Sequence, residues 1–219
     1  MARPLVKICG INSTASFDAV VEAGADFLGF VFFPPSPRFV TPAQAAELSA
    51  RHDGGPQRVG LFVRPTAADI AAALAVVRLD ILQIHASPAE AAALKAQFGL
   101  PVWRSLGIAA SEEFPDRAEA VDGYVVENKP PPGATRPGGN AVQADWALLA
   151  PWQPEKFWLL AGGLRPDNVA EALRITGAPG ADVSSGVETA PGQKSPALIK
   201  AFVEAVRASP CVFNATGPA

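Results

Sequence analysis

Eight short apolar segments alternate with alanine-rich segments of helical periodicity along almost the whole chain. The apolar segments, rich in Val, Ile, Leu and Phe, cover residues 4–9, 26–32, 58–63, 80–85, 101–106, 123–128, 157–162 and 180–185. The segments of helical periodicity cover residues 13–23, 42–52, 66–77, 88–98, 111–119, 143–150, 166–176 and 195–207. Runs that are apolar throughout are typical of parallel strands buried on both faces. Eight such strand–helix units predict an α/β fold, a single (β/α)8 TIM barrel.

The alternation also predicts the domain organisation. The barrel domain is expected over residues 1–208, and residues 209–219, which have no periodicity, are expected to form a disordered C-terminal tail. A doubly wound open sheet is less favoured, because the turn after its first strand would carry GxGxxG, which is absent. The segment 129–142, rich in proline and glycine, is too long for a simple connection. It is expected to be either a mobile active-site loop or extra chain length without a role.

Charge and cysteine content argue against several classes of protein. The net charge is −3 and there is no run of lysine and arginine, which disfavours a nucleic acid or an anionic membrane as partner. No apolar stretch is long enough to span a bilayer, and no signal peptide is recognisable at the N-terminus. The only cysteines, Cys9 and Cys211, predict no disulfide framework, and no ligand spacing predicts a metal site. We therefore expect a reduced, cytoplasmic, metal-free protein, either a monomer or a homodimer.

The loops after the seventh and eighth strands carry the clearest functional signal. Gly162 and Gly163 allow a backbone to approach a ligand closely, and Ser184, Ser185 and Gly186 offer hydroxyl and amide donors. These two loops commonly bind phosphate in a barrel of this kind, because free N–H groups and helix dipoles favour an anion. The alternative is that these residues only cap secondary structure.

The end of the first strand presents a lysine and a cysteine on one face. Lys7 and Cys9 are two residues apart, and a nearby lysine would favour the thiolate and lower the thiol pKa from about 8.5. Cys9 is then either a base that takes a proton from carbon or a small core residue. Asp182 on the neighbouring eighth strand either pairs with Lys7 or contacts substrate. Glu127, at the end of the sixth strand, either faces Cys9 across a substrate or is a solvated carboxylate near Lys129.

Two further polar side chains follow strands and are candidate substrate contacts. Arg38 lies on a proline-rich loop after the second strand, where a guanidinium suits bidentate recognition of a carboxylate or phosphate. His85 ends the fourth strand, where it can hydrogen-bond a substrate or transfer a proton. The alternatives are an ordinary surface arginine and a structural histidine.

Six motifs together resemble one enzyme family. They are VKICGI, GFVFFPPSPRFVTP, VGLFV, LQIHA, AGGLRPDNV and DVSSGVE, and the resemblance extends from about residue 5 to about residue 207. The chain resembles the phosphoribosylanthranilate isomerases of tryptophan biosynthesis. The resemblance implies a (β/α)8 barrel that converts N-(5-phosphoribosyl)anthranilate into 1-(2-carboxyphenylamino)-1-deoxyribulose 5-phosphate. The reaction is an Amadori rearrangement that needs no metal or cofactor.

The resemblance also implies a role for each candidate residue. Cys9 corresponds to the general base that removes the C2′ proton, Arg38 to the arginine that holds the anthranilate carboxylate, and Asp182 to an aspartate that contacts substrate. Lys7 and His85 join Arg38 and Asp182 as substrate-binding candidates. The phosphate-binding candidates are Gly162, Gly163, Ser184, Ser185 and Gly186.

Glu127 departs from the family pattern, in which an aspartate at this position is the general acid. The longer side chain moves the carboxyl by about one C–C bond length, and a misplacement of about 1 Å can cost about 100-fold in rate. The reference pKa of glutamate is close to that of aspartate, so Glu127 can still protonate the furanose ring oxygen and open the ring to a Schiff base. We expect an active isomerase with Glu127 as the acid. The alternatives are a different phosphosugar isomerase or epimerase, and a phosphosugar-binding barrel with weak or no isomerase activity.

Overall fold

The computed structural model describes residues 3–128 and 146–209. Eight parallel strands form a closed barrel in the order in which they occur along the chain, which confirms the predicted fold. The strands are Leu5–Cys9 (β1), Phe27–Val31 (β2), Gln57–Val63 (β3), Ile81–His85 (β4), Val102–Ile108 (β5), Gly123–Asn128 (β6), Phe157–Leu160 (β7) and Gly180–Val183 (β8). The predicted loop at 129–142, Lys129, and residues 210–219 of the predicted tail with Cys211 lie outside the described residues.

Helices connect the strands over most of the barrel. They are Thr14–Ala23 (α1), Pro42–Ser49 (α2), Ala67–Leu74 (α3), Pro88–Phe98 (α4), Trp146–Leu149 (α5), Val169–Thr176 (α6) and Pro196–Arg207 (α7). Each of the first four begins with a capping box, in which the N-cap side chain and the residue three positions later satisfy each other's backbone N–H. The described part of the chain contains no helix that is long and apolar enough to cross a membrane.

The helix predicted over residues 111–119 is wrong. Residues 109–122, all within the described chain, contain only a 3-10 turn, Ser111–Glu113. Pro115 is the reason, because proline lacks a backbone N–H and disfavours helical geometry in the residue before it. Phe114 is accordingly extended, with φ −62° and ψ 139°.

Two strands after β8 form an antiparallel hairpin that the sequence did not predict. They are Glu188–Ala190 (β9) and Gln193–Lys194 (β10), and Lys194 lies opposite Glu188 in the pairing. The hairpin is inserted between the end of β8 and helix α7. It therefore lies at the carboxyl end of the barrel, where the candidate site residues are.

Strand alternation divides the apolar side chains into an inner and an outer cluster. The inner cluster fills the barrel and consists of Phe27, Val59, Ile81, Trp103, Val125, Phe157, Leu159 and Ala161. Val6, Ile8 and Val126 belong to the larger cluster between the barrel and its helices. Because successive side chains point to opposite faces of a strand, Lys7 and Cys9 face the interior, and so does Glu127.

The segment that replaces a helix between β5 and β6 is attached to the barrel by a buried ion pair. Arg104 donates hydrogen bonds to both carboxylate oxygens of Glu119, at 2.9 and 2.6 Å, and the two side chains are 13% and 7% exposed. Arg174 and Glu171 on α6 form a pair of the same geometry, at 2.8 and 2.6 Å, but on the surface.

We expect Glu119→Gln to lower the free energy of unfolding by roughly 3 kcal/mol, because it leaves a buried guanidinium charge without its partner. Glu171→Gln, the matched control, should leave the free energy of unfolding nearly unchanged, because solvent screens the exposed pair. Urea unfolding followed by circular dichroism measures both. Equal losses in the two variants would show that the Arg104 pair does not anchor this segment.

Candidate active site

Lys7 forms a buried ion pair with Asp182 at the junction of β1 and β8. The two residues are directly paired in the register of these strands, and Nζ lies 2.8 Å from Oδ1. The lysine side chain is fully buried. Burial alone would lower the pKa of Lys7, but Asp182 and Cys9 outweigh it and raise the pKa above the ordinary value. Lys7 is therefore a cation at neutral pH, and the predicted pairing with Asp182 is confirmed.

Cys9 lies beside this pair and is 4% exposed. A Cβ atom on Gly29 of the neighbouring β2 would stand only 3.0 Å from Cys9 Sγ and 3.3 Å from Lys7 Nζ, so glycine leaves room for both groups. Gly29 is a site residue that the sequence analysis missed, although a glycine inside an apolar strand is a signal for such a close approach.

The thiol of Cys9 is protonated at neutral pH. Burial raises its pKa, and this effect outweighs the opposing field of Lys7, so the pKa lies above the ordinary value. The proximity of Lys7 predicted a lowered pKa. That prediction is correct for the contribution of Lys7 but wrong for the net shift, because burial, and to a smaller extent Asp182, raise the pKa of the thiol.

Arg38 is buried beside the end of β1 rather than exposed on its loop. Its side chain packs over Gly10, where a Cβ atom would stand 2.6 Å from Arg38 Cδ. The guanidinium donates two hydrogen bonds to Glu188 of the hairpin, Nε to Oε1 at 2.7 Å and Nη2 to Oε2 at 2.8 Å. The interpretation of Arg38 as an ordinary surface arginine is therefore wrong. Glu188 is a second residue that the sequence analysis missed.

Ser184 connects the loop after β8 to the end of β1. Its hydroxyl donates to the backbone carbonyl of Cys9 at 3.1 Å. Lys194 Nζ donates to the carbonyl of Ser184 at 2.9 Å and contacts the hydroxyl at 3.2 Å. Lys194, which the sequence analysis also missed, thereby holds the loop against β1.

The loops after β7 and β8 pack against each other. Gly162 and Gly163 have φ values of 88° and 65°, a left-handed conformation that favours glycine. Asn168 donates to the carbonyl of Gly163 at 3.1 Å, which fixes this turn. A Cβ atom on Gly186 would stand 1.8 Å from the carbonyl oxygen of Leu164, so only glycine fits there. The predicted phosphate-binding residues are thus adjacent, and Ser185 begins a 3-10 turn, Ser185–Val187, within the second loop.

His85 and Glu127 lie on strands further around the barrel. β4 and β6 are each three strands from β1, and both side chains share the inward-facing alternation of their strands. Burial, aided by the positive charge of Lys7, lowers the pKa of His85 to about 4. His85 is therefore uncharged at neutral pH. His85 and Glu127 lie on the opposite part of the rim. The other four candidates lie around β1: Lys7, Cys9, Arg38 and Asp182.

We expect the free energy of unfolding to fall as the pH is lowered, in part because of His85. Between pH 6.5 and about 4 an unfolded histidine binds a proton that the folded His85 does not. The loss should reach roughly 3 kcal/mol. His85→Gln should remove this part of the pH dependence, as measured by urea unfolding at a series of pH values. His52→Gln, which changes an exposed histidine, is the control, and an unchanged slope in His85→Gln would contradict the low pKa.

These groups define the class of protein. A closed parallel barrel carries a buried ammonium–thiol–carboxylate cluster at the carboxyl ends of its strands, together with a glycine-containing loop after β7 and a serine- and glycine-containing loop after β8 that are suited to an anion. Within residues 3–128 and 146–209, no group of three His, Cys, Asp or Glu side chains is arranged to hold a metal ion. The chain is a (β/α)8 barrel with the site position and residue types of an acid–base enzyme.

Comparisons with known proteins identify the family. The family model described as N-(5′-phosphoribosyl)anthranilate (PRA) isomerase matches residues 6–205. The N-(5′-phosphoribosyl)anthranilate isomerase of Granulibacter bethesdensis is 53% identical over 203 residues, covering 92% of this chain and 97% of the relative. That of Acidiphilium cryptum is 50% identical over 209 residues, covering 95% and 100%. The chain belongs to the N-(5′-phosphoribosyl)anthranilate isomerase family.

Solved structures agree with this assignment. TrpF from Jonesia denitrificans superposes with a TM-score of 0.80 at 35% identity, covering 97% of this chain and 100% of that one. A phosphoribosyl anthranilate isomerase in complex with reduced 1-(o-carboxyphenylamino)-1-deoxyribulose 5-phosphate superposes with a TM-score of 0.75 at 30% identity, covering 94% and 98%. The first of these matches extends over nearly the full length of both chains.

Proposed function

We propose that this chain isomerises N-(5-phosphoribosyl)anthranilate to 1-(2-carboxyphenylamino)-1-deoxyribulose 5-phosphate in tryptophan biosynthesis. The observation that carries the proposal is the family match over residues 6–205, with about half of the residues identical to enzymes of that name. The buried Lys7–Cys9–Asp182 cluster supports it, because the reaction is an internal oxidation of C2′ and reduction of C1′ that needs a base at a defined position and no external oxidant or reductant.

Cys9 is the base in this proposal. The thiolate takes the proton from C2′ of the ring-opened, protonated Schiff base. The electrons of the broken C–H bond form the C1′–C2′ double bond of an enolamine, and the π electrons of the C1′–N bond return to the nitrogen as its lone pair. The enolamine then gains a proton at C1′ and loses its C2′ hydroxyl proton to give the ketone. Lys7 acts as a cation that stabilises the thiolate, and Asp182 keeps that cation in place.

Glu127 is the acid in this proposal. Its carboxyl group donates a proton to the furanose ring oxygen, the bond between that oxygen and C1′ breaks, and the nitrogen lone pair forms the Schiff base. The inward position of Glu127 at the carboxyl end of β6 supports this role, because Val125 on the same face lies in the inner cluster of the barrel.

The two anionic ends of the substrate are assigned to two parts of the rim. Arg38 binds the anthranilate carboxylate, and the loops containing Gly162, Gly163 and Ser184–Gly186 bind the phosphate. His85 contacts the substrate as an uncharged imidazole, since its pKa is about 4. We further propose that the protein works in the cytoplasm, as a monomer or a homodimer.

We expect Cys9→Ala to lower kcat/KM by about 10²- to 10⁴-fold, the usual range for loss of a general acid or base. Glu127→Gln should cost a similar factor, whereas Glu127→Asp keeps a carboxyl group and should stay within about 100-fold of the wild type. The measurement is the decay of substrate fluorescence, with the substrate generated in situ.

Each outcome of that assay separates the proposal from a rival. A wild-type protein that binds a reduced product analogue but never consumes substrate would be a binding protein. Recovery of activity only in Glu127→Asp would mean that the barrel kept its site and lost its acid. A kcat/KM of Cys9→Ala equal to that of an active wild type would contradict the assignment of Cys9 as the base.

We expect Lys7→Met to move the titration of the Cys9 thiol to still higher pH, because Lys7 is the largest group that opposes the effect of burial. The thiolate absorbs in the ultraviolet, and subtracting the spectrum of Cys9→Ala isolates this one thiol. Lys95→Met, which removes the lysine of a half-exposed pair with Asp122, is the matched control and should leave the titration unchanged. A midpoint that does not move in Lys7→Met would remove Lys7 from the proposed mechanism.

A further inference from the structure

Glu188 is shared by two buried cations. Its carboxylate accepts two hydrogen bonds from Arg38, at 2.7 and 2.8 Å, and one from Lys194, at 2.6 Å. The three side chains are 6%, 4% and 0% exposed for Arg38, Glu188 and Lys194, respectively. Burial alone would raise the pKa of Glu188, but the two cations outweigh it and lower the pKa, so Glu188 stays ionised. Burial lowers the pKa of Lys194, and Glu188 opposes this effect. When Lys194 is protonated, two cations share one anion, and the trio carries one positive charge that an additional anion would balance.

Lys194 has no hydrogen available for a substrate. An ammonium group carries three donors. Its contacts within the described chain are Glu188, the carbonyl of Ser184 and the hydroxyl of Ser184. Because the side chain is fully buried, the hydrogen bonds of Lys194 go to these two residues, while its charge also lowers the pKa of the Cys9 thiol. Ser184 in turn donates to the carbonyl of Cys9.

Within the described part of the chain, the side-chain hydrogen bonds of Arg38 use one edge of its guanidinium. Glu188 takes Nε and one hydrogen of Nη2, which are two of the five N–H donors. The other edge, formed by Nη1 and Nη2, has the spacing that a second carboxylate needs. Glu188 therefore leaves Arg38 a complete bidentate edge and fixes the direction in which that edge points.

The hairpin also contacts the loop that carries Arg38. A Cβ atom on Gly192 would stand 2.4 Å from the carbonyl oxygen of Pro37, and the φ of Gly192 is 80°. Asn12 donates to the carbonyl of Gly192 at 3.0 Å. The turn of the hairpin is thus packed against the residue directly before Arg38, so the loop and the hairpin form one unit.

We propose that Glu188 and Lys194 are positioning residues that couple the carboxylate-binding Arg38 to the phosphate loop at Ser184. Glu188 orients Arg38, and Lys194 holds Ser184 and Glu188 at a fixed separation. The inference rests on the proposed function, because that function assigns the carboxylate to Arg38 and the phosphate to the loop of Ser184. In this inference Glu188 affects binding of the carboxylate, through Arg38, whereas Lys194 affects binding of both the carboxylate and the phosphate.

The test compares two ligands that share a phosphate and differ in the carboxylate. Reduced 1-(o-carboxyphenylamino)-1-deoxyribulose 5-phosphate has both groups, and ribose 5-phosphate has the phosphate alone. Glu188→Gln should weaken calorimetric binding of the first by roughly 10- to 100-fold, because Arg38 loses its orientation. Its affinity for ribose 5-phosphate should stay within about threefold, because this ligand does not use Arg38. Lys194→Met should weaken both, and Lys194→Arg should restore part of the loss.

Controls separate positioning from general damage. Glu171→Gln removes the carboxylate of an exposed bidentate pair on α6 and should change neither affinity. Glu188→Gln removes the anion between Arg38 and Lys194 and thereby changes the net charge of the trio. The double variant Glu188→Gln/Lys194→Met removes one charge of each sign and is measured as a control for this change. The double variant should still lose the carboxylate-containing ligand, and circular dichroism shows whether each variant is folded.

Equal weakening of both ligands by Glu188→Gln, or no weakening of either, would overturn the inference, because the trio would then act only on the stability of the rim. The proposed function fails separately, through absence of turnover in the wild type. Affinities for the two ligands can be compared even in that case. In an active wild type, kcat/KM of Glu188→Gln should fall by the factor found for the carboxylate-containing ligand, while the titration of Cys9 stays unchanged.

Discussion

The burial of a charged lysine inside the barrel is the constraint on which the site depends. Removing an ammonium from water costs several kcal/mol unless a partner of opposite charge replaces the solvent. Asp182 does so for Lys7 at 2.8 Å, and it lies on β8, the strand that pairs with β1 to close the barrel. A shift of one residue in this pairing would turn the carboxylate to the outer face. The cluster around Cys9 therefore forms only when β1 and β8 pair in the correct register, and this pairing also closes the barrel.

The same ion pair explains the state of the thiol. Burial has the largest effect on the thiol and raises the pKa of Cys9, Lys7 opposes it, and Asp182 acts in the same direction as burial, so the pKa rises. A higher pKa reduces the fraction of molecules in the thiolate form. It also makes each thiolate a stronger base, which favours removal of a proton from carbon. The raised pKa therefore gives fewer thiolates, each of which is a stronger base. Gly29 leaves the space that the thiol and the ammonium group occupy.

The sequence was sufficient for the parts of the fold that repeat, and insufficient for contacts made by irregular segments. All eight strands were predicted because buried parallel strands are mostly continuous apolar runs. The Lys7–Asp182 pair was one of two alternatives for Asp182, since closure makes β1 and β8 neighbours. The helix predicted over 111–119 is wrong because Pro115 interrupts a segment whose alanine and glutamate residues favour a helix. Glu188 and Lys194 were missed because strands of three and two residues have no detectable period. The burial of Arg38 depends on its contact with that hairpin, so the sequence did not predict it either.

Local charge, and not the charge of the whole chain, has to attract the substrate proposed here. A net charge of −3 repels a molecule that carries a phosphate and a carboxylate. Interactions beyond a Debye length of about 8 Å are largely screened in cells, so groups at the rim decide the encounter. Lys7 and Asp182 neutralise each other, whereas Arg38 and Lys194 share the single carboxylate of Glu188, so that a protonated Lys194 leaves one positive charge at the end of the barrel. Because this charge is buried, screening weakens it little. The hydrogen bond from Ser184 to the carbonyl of Cys9 fixes this charge relative to Cys9, the base of the proposed function. Attraction and alignment therefore come from the same three side chains, and the chain can remain acidic elsewhere without loss of affinity for an anion.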